Sequence, residues 1–421
     1  MSALPWVLAA SAEITAAADD FGRVVHEVPA WVARPADAMQ VAALARYAAA
    51  EGLAFRPRGC GHSVYGQAQA DSGIVCYTGG LDQMYDISGG TLDAGAGTRW
   101  RAVLAAATRK GMTPPVLADY LDLSVGGTLS AGGIGGASHH HGPQVDHILD
   151  LEVVTPSGEI IRCSASSHPD VFFGVLAGHG TAGIITRATI PLVPAPTRVR
   201  RYKIPCPTAA TLIACQRSAA RDRRFSYLEG QIAADQNGRW SYVLEAGAFY
   251  TAEPPADAAL LDALSLTPGP AEIEDLDYLS FCDRMQDGVR LLAASGDWYR
   301  PHPWLSVFLP MDAAEQYVAG ALDRLTPATA GPIPMLLYPL RRGEVPAPGL
   351  ATPPGDDDGL FCTFSILRTV PDDRDAINAA LDDNQRLATA AIEVGGTVYP
   401  ISAVRSLAGQ VAGTGNAMSS R

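Results

Sequence analysis

With 421 residues, 48% of them apolar and 18% charged, the chain has the make-up of a globular protein and is long enough for two domains, since single cores stop growing at about 250–300 residues. A formal net charge of −13 argues against a nucleic-acid partner or a polybasic membrane contact and directs attention to a small-molecule substrate. The seven cysteines lie far apart with no C-x-x-C pair, so neither a metal site nor a disulfide framework is expected, and a reducing, cytoplasmic setting fits.

The first twelve residues imitate a signal peptide but carry no Lys or Arg ahead of the apolar run, and no apolar stretch approaches the ~18 residues that span a bilayer. Ala36 to Glu51 has apolar residues at helical spacing and Gly52 as a stop. Leu53 to Phe55 and Gly73 to Tyr77 read as strands on either side of Arg56 to Ala70. In that stretch Gly59, Gly61 and Gly66 surround His62 and Ser63, a backbone cradle suited to an anion such as pyrophosphate. Leu81 to Ile87 leads to a strand at Thr91 to Gly97, and Arg99 to Lys110 is an amphipathic helix closed by Gly111.

A second glycine-rich segment runs from Asp119 to Gly136, and its glycines predict neither a helix nor a strand. Two such loops suggest one long phosphate-bearing ligand held from both sides. His139, His140 and His141 are adjacent and cannot all face one ion from a regular element, so no metal is expected there. Ile148 to Thr155 and Ile160 to Cys163 form a predicted hairpin, and a third glycine cluster lies in Val175 to Ile190. Pro194-Ala-Pro196 marks a boundary. Beyond it Val199 to Ile204, Phe225 to Ile232 and Trp240 to Tyr250 read as antiparallel strands, followed by an acidic helical stretch at Glu272 to Leu292. Pro301 to Phe308, Met335 to Leu340 and Gly359 to Thr369 are further strands, and Pro346 to Asp358 is a loop.

Six ordered segments resemble the FAD-linked oxidoreductases of the vanillyl-alcohol oxidase type and, among them, the cytokinin dehydrogenases. They are Arg-Gly-Cys-Gly-His-Ser-Val-Tyr-Gly-Gln-Ala (58–68), Asp-Tyr-Leu-Asp-Leu-Ser-Val-Gly-Gly-Thr-Leu-Ser (119–130), His-Gly-Pro-Gln (141–144), Gly-Ile-Ile-Thr-Arg-Ala (183–188), Pro-His-Pro-Trp-Leu (301–305) and Leu-Tyr-Pro-Leu (337–340). The resemblance implies an α+β, two-domain FAD-binding fold. Residues 1–195, completed by 375–421, would bind FAD, and residues 196–374 would form a substrate-binding cap on an antiparallel sheet.

It further implies FAD attached covalently through the imidazole of His62. Arg58, Gly59, Cys60, Gly61, Ser63 and Gln67 would line the cofactor from the first loop, and Asp119, Ser124, Ser130 and Ile134 from the second, with Ile185 and Tyr399 nearby. Asp119 would accept the N–H proton of an amine as hydride leaves the adjacent carbon for flavin N5. Trp304, Ser306, Tyr338 and Leu367 would shape the substrate pocket, while Glu229 receives no role. Oxygen or another acceptor would reoxidise the flavin. The chain departs from the family in having Ser306 where asparagine is common, and in ending with Gly409 to Arg421 in place of a closing Gly-Gln-Arg-type motif. Two alternatives therefore stand beside amine oxidation of the cytokinin dehydrogenase kind: a bacterial tailoring oxidase acting on a bulkier amine, alcohol or heterocycle, and a non-redox flavin-containing cyclase or ligand-binding protein.

Overall fold

A computed structural model describes residues 6–8, 11–85, 87–235, 237–262, 264, 269–342, 347, 349–354 and 356–405. The first glycine-rich loop leaves the carboxyl end of strand Phe55–Arg58, which lies parallel to Ile74–Tyr77 in a four-stranded sheet. Helix Ala38–Glu51 covers that sheet. It starts where the Asp37 side chain accepts from the Gln40 N–H and stops where Gly52 turns left-handed at φ 66°. Its Val41 and Leu44 pack with Ile74 and Cys76, each buried aliphatic side chain contributing about 1.5–3 kcal/mol.

A second four-stranded sheet, ordered Thr91–Gly95, Ile184–Pro191, Asp150–Val154, Ile160–Cys163, is antiparallel and contains the expected hairpin. The third large unit is an eight-stranded antiparallel sheet. Its order is Glu272–Asp277, Arg198–Cys206, Trp240–Tyr250, Tyr227–Ala234, Met335–Arg341, Leu360–Ile366, Leu305–Pro310, Thr397–Val398. Helices Ala209–Asp222, Met311–Arg324 and Arg374–Glu393 pack on this sheet through one continuous apolar core. Strand alternation explains what faces away from that core. Leu228 and Ile232 are core residues, while Tyr227, Glu229 and Gln231 between them point to the opposite face.

Two expectations are corrected. Residues 125–131 form a helix despite their glycines, because Ser124 caps it by accepting from the Gly127 N–H at 3.3 Å. Its Thr128 hydroxyl also accepts from the buried Trp100 indole at 2.7 Å, so packing overrides propensity. Glu272–Asp277 is an edge strand, with helices only from Tyr278–Cys282 and Met285–Ser295 onward. Its acids match a basic partner strand, as in Arg200 with Asp275 at 2.7 Å and Arg201 with Glu274 at 2.8 Å. Helix Arg374–Glu393 packs on strands Leu305–Pro310 and Thr397–Val398 of the large sheet through Leu387, Ala388 and Ala391. Its Leu381 and Ile377 pack in an apolar cluster with Val64 of the first loop. The closing segment from Gly409 to Arg421 lies outside the described residues.

Candidate functional site

The exposed ends of the two small sheets and the open face of the large one enclose a cavity of about 810 Å³. The first loop contributes Gly59, Cys60, Gly61, His62, Ser63 and Gln67, and the second contributes Asp119, Ser124, Ser130 and Ile134. Ile185 and Tyr399 join them, and Trp304, Ser306, Tyr338 and Leu367 enter from the large sheet and its flanks. Every residue singled out from the sequence therefore lines this one cavity, except Arg58. The Arg58 side chain lies beneath the loop, near the Tyr77 ring at 5.4 Å, and a Cβ at Gly61 would come within 2.6 Å of its guanidinium. Arg58 props the loop from behind. At Gly59 a Cβ would meet the Ser124 hydroxyl at 2.1 Å, so glycine is what allows the two loops to touch.

The first loop is held by residues ahead of it. Phe21 and Gly22 donate backbone N–H bonds to Gly61 O at 2.8 Å and Ser63 O at 3.1 Å. The buried Asp20 carboxylate accepts from the Gly66 N–H at 2.8 Å, the Ser63 hydroxyl at 3.1 Å and the Arg23 N–H at 3.3 Å. Burial pushes its pKa up to about 6, and those donors, with the Arg58 charge, keep it from rising further. Asp20→Ala strands buried donors at a cost of about 1–3 kcal/mol each. A lower melting temperature and weaker flavin retention are therefore expected on thermal denaturation, and a wild-type melt would show that the loop holds itself. Because the folded pKa exceeds the ordinary ~3.9, the folded state takes up the proton first, and Asp20 weakens folding less as pH falls from about 6 toward 4.

His62 sits in an aromatic enclosure, its ring centroid 4.0 Å from Phe21, 5.0 Å from Tyr120, 5.7 Å from Trp298 and 5.8 Å from Trp304. Nδ1 is buried without a hydrogen-bonding partner. Burial, reinforced by His302, lowers its pKa to about 4, so the imidazole is neutral at physiological pH.

Next to Tyr120 stands Asp119, the meeting point of a buried polar cluster. Tyr227 donates to Asp119 Oδ1 at 2.8 Å, Tyr338 to Oδ2 at 2.6 Å, and Arg284 Nη2 to Oδ1 at 3.0 Å. The same two phenol oxygens lie 2.5 Å and 2.9 Å from Glu229 Oε2. Each phenol has one hydrogen and two carboxyl neighbours, so a proton assigned to Glu229 would satisfy the short Glu229–Tyr227 contact where the phenols turn to Asp119. Burial first, then the charges of Asp119 and Glu245, push Glu229 up to about 7, which agrees with that assignment. A Cβ at Gly136 would lie 2.2 Å from the Tyr227 ring, so this glycine of the second loop lets the phenol reach Asp119. Gly136→Val is expected to displace Tyr227 and slow turnover with little loss of bound flavin, checked by the ratio of flavin content to rate.

The histidine tract acts locally. His139 faces Gly136 O at 2.7 Å and Phe225 O at 2.9 Å, and His140 faces Phe225 O at 2.6 Å. No group of His, Cys, Asp or Glu able to hold a metal is found among the described residues. None of their helices is long and apolar enough to cross a membrane.

Residues 29–164 match the family described as FAD binding domain, and residues 209–398 match cytokinin dehydrogenase 1, FAD and cytokinin binding. An uncharacterized oxidoreductase, ORF5 in the fasciation locus of Rhodococcoides fascians, is 37% identical over 93% of this chain and 88% of its own length. Cytokinin dehydrogenase 7 of Oryza sativa subsp. japonica is 33% identical over 84% of this chain and 75% of its own. Cytokinin dehydrogenase 4 of Arabidopsis thaliana is 35% identical over 79% and 72%. The chain belongs to the cytokinin dehydrogenase family of FAD-dependent oxidoreductases.

As a cytokinin dehydrogenase family member the chain is an FAD enzyme with a two-domain architecture, and relatives named as an oxidoreductase and as dehydrogenases leave the non-redox reading unsupported. The cavity fits FAD. Two glycine loops meet at Gly59 and Ser124, hydroxyls of Ser63, Ser124 and Ser130 line it, and a neutral imidazole whose buried Nδ1 has no hydrogen-bonding partner faces the same space. Sequence reading missed Asp20, Tyr227, Arg284 and the role of Glu229. Only Glu229 had a local signal, the polar alternation Tyr227, Glu229, Gln231 within an apolar strand.

Proposed function

We propose that the enzyme oxidises a secondary amine that carries a bulky apolar substituent, in the manner named for the cytokinin dehydrogenases, within a vanillyl-alcohol oxidase type fold divided near residue 195. The observation that carries this reading is the partly buried Asp119 carboxylate, fixed on both oxygens and beside Tyr120, whose ring packs on His62. FAD, covalently held by His62, would supply the two-electron acceptor for the hydride that leaves the carbon beside nitrogen. Asp119 takes the N–H proton, so the C–N single bond becomes C=N with all electrons accounted for, and water then hydrolyses the imine to an aldehyde and a primary amine. Tyr227 and Tyr338 hold the carboxylate in place. The apolar wall of Val289, Leu292, Ile333 and Leu336 receives the substituent and excludes water from the proton transfer. Oxygen or another acceptor closes the cycle.

Anaerobic titration of the holoenzyme with N6-isopentenyladenine tests the reading. Loss of oxidised-flavin absorbance at about one equivalent is expected, with no loss on adding the matching allylic alcohol. Bleaching by the alcohol alone would overturn the amine assignment. One observation favours the second reading, a tailoring oxidase for a different heterocycle. Ser306 and Ser365 share a 2.8 Å hydroxyl contact where the family places an amide, which removes a paired donor and acceptor from the pocket. Bleaching by bulkier heterocyclic amines but not by N6-isopentenyladenine would select it.

A further inference from the structure

Arg284 opens the helix Met285–Ser295, whose Met285, Gly288, Val289 and Leu292 line the cavity, and its side chain runs into the carboxyl cluster. Nη2 donates to Asp119 Oδ1 at 3.0 Å and lies 3.4 Å from Glu229 Oε2, while Nε donates to Glu245 Oε1 at 2.8 Å. Nη1 donates to Phe281 O at 3.1 Å, and the guanidinium carbon lies 4.7 Å from the Tyr227 ring centre and 4.4 Å from that of Phe281. One buried cation thus touches three carboxyls. The cluster needs it, because strand register puts Glu229 directly opposite Glu245, and like charges in that position repel.

The groups around Asp119 come from several elements. Strand Tyr227–Ala234 supplies Tyr227, Glu229 and Gln231, and the Gln231 amide donates to Glu229 Oε1 at 2.7 Å and Glu245 Oε2 at 3.1 Å. Trp240–Tyr250 supplies Glu245, Met335–Arg341 supplies Tyr338, and Arg198–Cys206 supplies Arg201, which donates to Glu245 Oε2 at 2.9 Å. Tyr278–Cys282 supplies Cys282, whose thiol burial pushes up to about 12 and keeps uncharged. Three carboxyls therefore meet at Arg284, and Arg201, which also pairs with Glu274 on the edge strand, adds a second guanidinium at Glu245. Arg284 contacts Glu245 at 2.8 Å and Asp119 at 3.0 Å, and its 3.4 Å contact with Glu229 is the longest of the three, leaving Glu229 as the carboxyl with the weakest claim on it.

We propose that Arg284 is a positioning residue for the oxidation: its guanidinium fixes Asp119 for the proton transfer and supplies the positive charge that three facing carboxyls share. This rests on the reading of Asp119 as proton acceptor. Without that charge the carboxyls repel one another and the cluster takes up a further proton before substrate arrives.

Infrared spectra of the holoenzyme report this without turnover. At pH 7 the wild type shows a buried protonated-carboxyl C=O band that Glu229→Gln removes. Arg284→Met adds a second such band, which Arg284→Met/Asp119→Asn lacks. In stopped-flow reduction by N6-isopentenyladenine, the acid limb of the pH profile for Arg284→Met moves up by at least one unit, about a tenfold loss at each pH below it, and Arg284→Lys restores part of the shift. Should Arg284→Met fail to hold FAD, Glu245→Gln serves instead, since it frees the guanidinium for Asp119 and is expected to move the limb down. An unchanged band and limb in Arg284→Met, or an upward shift in Glu245→Gln, overturns the role of Arg284. Undiminished flavin reduction in Asp119→Asn would instead overturn the proton-acceptor reading itself.

Discussion

Asp119→Asn is expected to slow substrate-driven flavin reduction by about 10²–10⁴-fold, while flavin content and substrate affinity stay within a few-fold of wild type. The amide has the shape of the carboxylate, and the site can accommodate it. With its oxygen at the Oδ1 position it still accepts from Tyr227 and Arg284, and its NH₂ group meets Tyr338, whose hydroxyl can turn to donate to Glu229 2.9 Å away. The fold and the pocket therefore survive, and what disappears is the ability to take a proton from the substrate nitrogen. Glu229 does not substitute for it directly, because it stands behind Tyr227 and Tyr338 and does not line the cavity. Anaerobic stopped-flow mixing separates the two possibilities. A rate constant equal to that of wild type removes Asp119 from the reaction, whereas weaker binding with an unchanged limiting rate makes it a substrate anchor.

The parts of this site carried by short stretches of chain were legible in the sequence. His62, its flanking glycines and Asp119 announce themselves within a dozen residues each, and the loop positions follow from apolar runs on either side that pair as parallel strands. The polar network behind Asp119 was not legible. Asp119, Tyr227, Arg284 and Tyr338 lie on four separate elements, and only the packing of the second loop and the helix Met285–Ser295 against the large sheet brings them together. Alternation could have flagged Glu229 as facing away from the helices, but nothing local says that a tyrosine over 100 residues later would meet it. The misread strand Glu272–Asp277 has a similar cause. Lying exposed at a sheet edge, it shows no apolar alternation, and the signal for it is the run of arginines in Arg198–Cys206 that it pairs with. Arg58, which the resemblance places along the cofactor, has its side chain near Tyr77 at 5.4 Å, a placement that no local feature of the loop sequence signals.

His62→Ala is expected to convert acid-stable flavin into extractable flavin. After acid precipitation of the wild type the yellow colour stays with the pellet, and in the variant it passes wholly to the supernatant. The imidazole suits the attachment for a physical reason. Burial among Phe21, Tyr120, Trp298 and Trp304, with His302 nearby, holds its pKa near 4, about 2.5 units under the usual ~6.5. A lowered histidine pKa leaves the ring neutral, and so nucleophilic, through pH 5–6, where an ordinary histidine is largely protonated. Reconstitution of apoprotein with FAD should therefore form the link as completely at pH 5.5 as at pH 7.5. The variant still folds around non-covalent FAD, because the loop is tied by Phe21, Gly22 and Asp20, none of whose bonds involves the His62 side chain. Colour extracted from the wild type would make the flavin non-covalent. Colour retained in the His62→Ala pellet would place the bond elsewhere, and Cys60, the exposed thiol two residues away in the same cavity, is the group that peptide mapping should then examine.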